Sequence, residues 1–153
     1  MPRKSRTMQT IALSLALVCG GLGAIAGESI NVDAGDVAIG GYDTVAYFTE
    51  GEAVRGDHKF EHVWRDAKWW FATAEHQELF ISDPDSYAPR FAGFCTGGMA
   101  MGVSVRADPE AWIIVDGRLY LTATKDARER LLEDPQAKIE RAAANWEELQ
   151  SGE

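Results

Sequence analysis

Ala111-Trp112-Ile113-Ile114-Val115-Asp116-Gly117-Arg118-Leu119-Tyr120-Leu121-Thr122 is the stretch on which the fold turns. Two apolar runs flank Asp116-Gly117, and Asp-Gly supplies the positive φ angles of a two-residue type I′ turn. The stretch therefore predicts a tight antiparallel hairpin. Downstream, Thr124 is an N-cap that opens a helix to about Glu133. Asp134-Pro135 starts another, with Asp as N-cap and Pro at the first helical position. Ile139, Ala142, Ala143, Trp146 and Leu149 share one face of that last helix, which predicts that it docks on the sheet.

Upstream, Lys59 to Trp64 alternates, with Phe60, His62 and Trp64 on one face. Arg65-Asp66-Ala67-Lys68 reads as a turn, and Trp69-Trp70-Phe71-Ala72 as the returning strand of a second hairpin. Trp69 and Trp70 are adjacent, so they point to opposite faces, and one of them is a candidate for a partner surface. Thr73 caps a short helix from Glu75 to Ser82, which Asp83-Pro84 stops. Asp43 to Phe48 reads as a strand after a Gly40-Gly41 turn, and Ile30 to Ala38 as a polar edge strand. Pro84 to Gly102 reads as a loop anchored by Tyr87, Phe91 and Phe94. No internal repeat is visible in the letters. The expected architecture is α+β: small antiparallel β-hairpins packed with short helices, ending in two C-terminal helices.

The first 26 residues have the anatomy of a secretory signal peptide. Arg3, Lys4 and Arg6 form a basic segment, Ile11 to Val18 an apolar one, and Ala24-Ile25-Ala26 a small-x-small cleavage site. The apolar run is short and glycine-broken, which disfavours a retained anchor. Val18 is branched where a lipidation signal at Cys19 needs a small residue. The expected layout is a signal peptide over 1–26, a linker over 27–36 and one domain over 37–150, with a periplasmic or secreted destination. Membrane contact is expected only through the signal before cleavage. Removing three basic residues with it leaves 12 Lys+Arg against 24 Asp+Glu, a formal charge of −12. Such a surface argues against nucleic-acid binding and favours solubility and attraction of cations.

Export also leaves Cys95 as a lone thiol with no intramolecular partner. Such a thiol in an oxidising compartment is buried, metal-bound, paired with another chain or used chemically. Cys95 lies in Phe91-Ala92-Gly93-Phe94-Cys95-Thr96-Gly97-Gly98-Met99-Ala100-Met101-Gly102. Thiolate and thioether are soft ligands suited to Cu(I), so Cys95, Met99 and Met101 form a candidate metal set. The other reading of the methionines is that they fill core gaps beside a buried cysteine. Four Cys or His ligands in paired spacings, as a structural zinc site needs, are absent from the sequence.

His58 and His62 lie about 13 Å apart along an extended strand, too far to hold one ion together. One histidine, taken as His62, can join Cys95 only through the fold. His76 reads as a surface or interface residue. Asp43, Asp108 and Asp116 fit turn or cap duty. The glycines around Cys95 lack the Lys-Ser/Thr of a phosphate loop, so no nucleotide is expected. A thiol enzyme would need a cation or helix N-terminus beside Cys95, with Arg90 and Arg106 the nearest basic residues in sequence.

Gly40-Gly41-Tyr42-Asp43-Thr44-Val45-Ala46-Tyr47-Phe48, Trp70-Phe71-Ala72-Thr73-Ala74-Glu75, Leu79-Phe80, Asp83-Pro84 and Tyr87-Ala88-Pro89 resemble the motifs of exported YHS-domain proteins. So do Ala92-Gly93-Phe94-Cys95, Asp108-Pro109-Glu110-Ala111-Trp112, Asp116-Gly117-Arg118-Leu119-Tyr120-Leu121 and Ala144-Asn145-Trp146. The resemblance runs from about Val37 to Trp146. It implies a metal-binding module, with Cys95 at the family cysteine. Phe94 and Thr96 depart from the usual tyrosine and alanine, and Met99 and Met101 are not family signature. The expected function is binding of a soft transition metal such as copper through Cys95, helped by Met99, Met101 or His62. The alternatives are a non-catalytic interaction module with a protein partner in the cell envelope, and a thiol-based redox enzyme.

Overall fold

The computed structural model describes residues 29–152, so the expected signal peptide lies outside the described residues. Two antiparallel hairpins carry the architecture, and the fold is α+β as expected. In the first, β1 (Asp57–Trp64) pairs with β2 (Ala67–Phe71), with Trp64 opposite Ala67 and His62 opposite Trp69. In the second, β3 (Asp108–Val115) pairs with β4 (Arg118–Thr122), with Val115 opposite Arg118 and Trp112 opposite Leu121. Both turns are two residues long with positive φ: 50° and 59° at Arg65 and Asp66, 50° and 72° at Asp116 and Gly117. The first turn is thus tighter than the four-residue turn expected. Arg65 and Asp66 occupy the left-handed region without glycine because the hairpin twist demands it.

The two hairpins are copies of one plan, which corrects the expectation that no repeat exists. Asp57 and Asp108, Ala67 and Arg118, Ala74 and Lys125, and Pro84 and Pro135 start matching elements, each pair 51 residues apart. Both long strands slip register at the same place, between Asp57 and Glu61 and between Asp108 and Trp112. After each hairpin a threonine caps a helix. Thr73 Oγ1 accepts the His76 N–H ahead of α2 (Ala74–Ser82), and Thr124 Oγ1 accepts the Ala127 N–H ahead of α5 (Lys125–Leu132). An Asp-Pro pair follows in both. Asp83 caps α3 (Pro84–Tyr87) and Asp134 caps α6 (Pro135–Ser151), each accepting from the backbone N–H three residues on. The capping letters recur because the backbone problem, orphan N–H groups at a helix start, recurs.

A short helix precedes each hairpin as well. The expected strand at Asp43–Phe48 is instead a turn leading into α1 (Ala46–Thr49), and the expected loop before Gly102 contains α3, a 3₁₀ turn (Phe91–Gly93) and α4 (Thr96–Ala100). Ile39–Gly41 is the matching 3₁₀ turn of the first unit. The apolar run Val45-Ala46-Tyr47 satisfies a buried helix as well as a buried strand, and periodicity cannot separate them over so few residues. Ile30 to Ala38 forms only isolated bridges, Val32 with Ala38 and Val37 with Lys68. Within the span read as a linker, Ile30 is buried and Asn31 donates its backbone N–H to Ala92 O and its side-chain amide to Gly93 O, so this segment packs onto the second unit.

The core falls into two clusters. Trp69, Phe71 and Trp64 gather on Phe80 of α2, with ring centroids 5.0, 5.0 and 5.7 Å from it. Fifty-one residues later Leu131 of α5 packs with Ile113, Tyr120, Met99, Phe91 and Ala142. Each buried aromatic or aliphatic side chain contributes about 1.5–3 kcal/mol from apolar area removed from water. The units are joined by Tyr47, whose hydroxyl donates to Pro109 O at 2.7 Å and whose ring lies 5.1 Å from Trp112. Helix α6 packs chiefly on α4 rather than on the sheet, and Asn145 donates its amide to Met99 O at 2.9 Å. Of its expected apolar face Ala142 is buried, whereas Leu149 is exposed. No described helix is long and apolar enough to cross a membrane.

Candidate functional site

Cys95 is positioned by the strand pattern and by α4. Its N–H donates to Val105 O at 2.9 Å, and the residue bridges to Leu121 of β4. It is the N-cap of α4, with Sγ accepting the Gly98 N–H at 3.4 Å. Gly98 is a glycine for a packing reason, since a Cβ there would come within 2.9 Å of the Val105 side chain. The thiol is free and 3% exposed.

Cys95 lines a cleft of about 430 Å³ between α4, α5 and the start of α6. Gly97, Gly98, Ala100, Val105, Ala123, Ala127 and Leu131 complete an apolar wall. The exposed residues Met101, Arg130 and Arg141 and the half-buried Lys138 form its rim. Lys138 Nζ donates to Arg130 O and sits 3.6 Å from Glu133 Oε2. Three cations on one rim stand out in a chain whose formal charge is −9.

The four sequence-picked residues separate. Met101, 76% exposed, shares the cleft with Cys95. Met99 is 0% exposed and belongs to the second core cluster, so it is a packing residue rather than part of the cleft. His62 lies on β1 with its ring 6.3 Å from Phe80 in the first cluster, and it is not among the residues that line the cleft with Cys95. Among the described residues no three His, Cys, Asp or Glu side chains gather in a way that could hold a metal ion. Arg90 and Arg106 are not in the cleft, and Arg106 donates to Val32 O instead. Trp69 is buried and Trp70 half-buried, on opposite faces as expected.

In the first unit the matching place is filled. Asp43 N–H donates to Val54 O at 2.8 Å, as Cys95 N–H does to Val105 O. Asp43 is 0% exposed; Oδ1 accepts the N–H groups of Val45 and Ala46, and Oδ2 that of Ala72. His76 Nδ1 donates to Oδ2 at 2.7 Å, and Nε2 lies 3.2 Å from Thr49 Oγ1 and 3.7 Å from Glu50 Oε1. Asp43 thus has its expected cap duty, but His76 is buried rather than a surface residue. The network ties α1, α2 and the end of β2 together. Thr49 Oγ1 also donates to Val45 O, so its hydroxyl is engaged as a helix back-bond.

The Asp43–His76 pair and the basic rim carry no local motif in the sequence. The signal was present in the spacing: Ala72-Thr73 and Ala123-Thr124, Asp83-Pro84 and Asp134-Pro135 recur at 51 residues, which places His76 opposite Ala127. The molecule is therefore a duplicated hairpin–helix α+β domain with a thiol-lined cleft in its second unit. Comparison with protein-family models, curated proteins and solved structures finds no match to this chain.

Proposed function

We propose that this chain is an exported, non-catalytic binding protein of the YHS kind that holds a soft monovalent metal ion such as Cu(I). One observation carries the reading: of the sulfurs picked out by sequence, Cys95 and Met101 line the same cleft. Thiolate and thioether match Cu(I) in softness. A monovalent ion between one thiolate and one neutral thioether adds no net charge, so the basic rim does not oppose it. A divalent ion would leave positive charge facing Arg130, Lys138 and Arg141. The test is titration of the purified protein with Cu(I) against a competing chelator. Stoichiometric binding that is lost in Cys95→Ser and weakened in Met101→Leu supports the reading; equal behaviour of wild type and Cys95→Ser overturns it.

A second reading, an interaction module, draws on Met101, Val103 and Val105, which stand exposed on one short segment at the cleft. Such a strip suits a partner surface. Retention of a cell-envelope partner by metal-free protein, lost on Val103→Asp, would support it.

A further inference from the structure

We infer that the cleft of the second unit is a binding site for an amphiphilic organic acid, a short apolar chain or ring carrying one carboxylate. This goes beyond metal binding, and it rests on three independent features. The first is room. About 430 Å³ falls within the roughly 300–1,000 Å³ typical of small-molecule sites. The first unit shows why the space exists. There His76 reaches across to Asp43 and fills the gap between α1 and α2. Here Ala127 stands in place of His76 and Cys95 in place of Asp43, and both stop short.

The second feature is the wall. Ala100, Val105, Ala123, Ala127 and Leu131 present carbon to the cleft, and Met101 continues that surface into solvent. Apolar area of this kind is stabilised by an apolar occupant in proportion to the area removed from water. The third is charge. Arg130 of α5 and Arg141 of α6 face the cleft from two helices, and among the described residues neither forms an ion pair. Lys138 is already engaged by Arg130 O and Glu133. In an acid-rich protein, two unpaired guanidinium groups over an apolar cleft match a carboxylate head above an apolar tail. Guanidinium grips carboxylate with paired N–H donors and keeps its charge at any working pH.

Calorimetric titration of the purified protein with decanoate, decanol and acetate tests this. Decanoate is expected to bind saturably, decanol about tenfold more weakly for want of the charge-assisted contact, a difference of about 1.4 kcal/mol, and acetate not at all. Arg130→Gln with Arg141→Gln should bring decanoate down to the level of decanol and leave decanol unchanged. Ala127→Phe should abolish both by filling the cleft. Ala127→His, which restores the residue of the first unit, is a second cleft-filling variant should Phe disturb folding. Decanoate and decanol binding alike, the double arginine variant binding decanoate as wild type does, or both cleft-filling variants retaining binding would each overturn the inference. The double arginine variant separates this site from the metal reading, because it should weaken decanoate binding and leave Cu(I) binding through Cys95 and Met101 intact.

Discussion

His76 and Ala127 hold matching places in the two units of this domain, 51 residues apart and each donating its backbone N–H to the threonine that caps its helix. The His76 ring completes a buried network with Asp43, whereas the Ala127 methyl leaves a cleft beside Cys95. Two side chains, Ala127 for His76 and Cys95 for Asp43, thus separate a structural half from a half with a cleft.

The Asp43 network is expected to be a keystone of stability. His76→Ala removes the ring that faces a fully buried carboxylate. Loss of a hydrogen bond to a charged group should cost about 1.5–3 kcal/mol. Asp43→Ala orphans three backbone N–H groups as well and should cost more. Urea unfolding monitored by tryptophan fluorescence measures both, and wild-type stability in either variant would contradict the structural role.

Met99 and Met101 are expected to part company on substitution. Met99→Ala should destabilise by about 2–5 kcal/mol through the cavity it leaves in the second cluster. Met99→Leu conserves volume and should cost less than about 1.5 kcal/mol while leaving Cu(I) affinity unchanged. Met101→Leu should leave stability alone and lower Cu(I) affinity. Thermal unfolding together with chelator competition distinguishes the two residues.

Cys95 should react slowly with a thiol reagent in the native protein and rapidly in denaturant, since only 3% of the residue is exposed. The ratio of the two rates, read with a chromogenic disulfide, checks this. Fast native labelling at neutral pH would instead favour the thiol-enzyme reading.

Asp33 predicts part of the acid limb of stability. Its Oδ1 accepts N–H groups from Gly35 at 2.8 Å and Val37 at 3.0 Å, and these bonds hold its carboxyl below the ordinary carboxylate range. A depressed folded-state value stabilises the fold above the ordinary value near about pH 4, and that contribution fades as pH falls through the folded-state value. Asp33→Ala should therefore be less stable than wild type at neutral pH and converge with it in acid. A gap that widens in acid would contradict the sign.

Each threonine cap should matter to its own unit. Thr73→Ala and Thr124→Ala should cost about 1 kcal/mol each. Both removed together should add, because the two caps share no partner. Chemical denaturation of the single and double variants provides the measurement.

Much of the architecture was legible residue by residue. Asp116-Gly117 marked its hairpin because few residue pairs accept two positive φ angles. Thr73, Thr124 and Asp134-Pro135 marked helix starts because a helix N-terminus needs an oxygen acceptor within a few residues. The strand expected at Asp43 to Phe48 failed for the opposite reason. Four apolar residues carry no period, and the start of the helical turn is held instead by Asp43 Oδ1, which accepts the N–H groups of Val45 and Ala46. The duplication was hidden because the units conserve caps and turn geometry while their core letters differ, Phe80 against Leu131 and Trp69 against Tyr120.

The letters alone marked Cys95 as the one thiol outside the expected leader, the caps, the turns and the α+β class, all of which rest on chemistry within a few residues. Which sulfurs share a site, whether a histidine is buried, and where Arg130 and Arg141 point depend on residues tens of positions apart. Met99 and Met101 are two residues apart in sequence, which is about half a helical turn, so at the end of α4 the first points into the core against α6 and the second is left at the cleft. Such placement follows from close packing of distant elements, which no local spacing encodes.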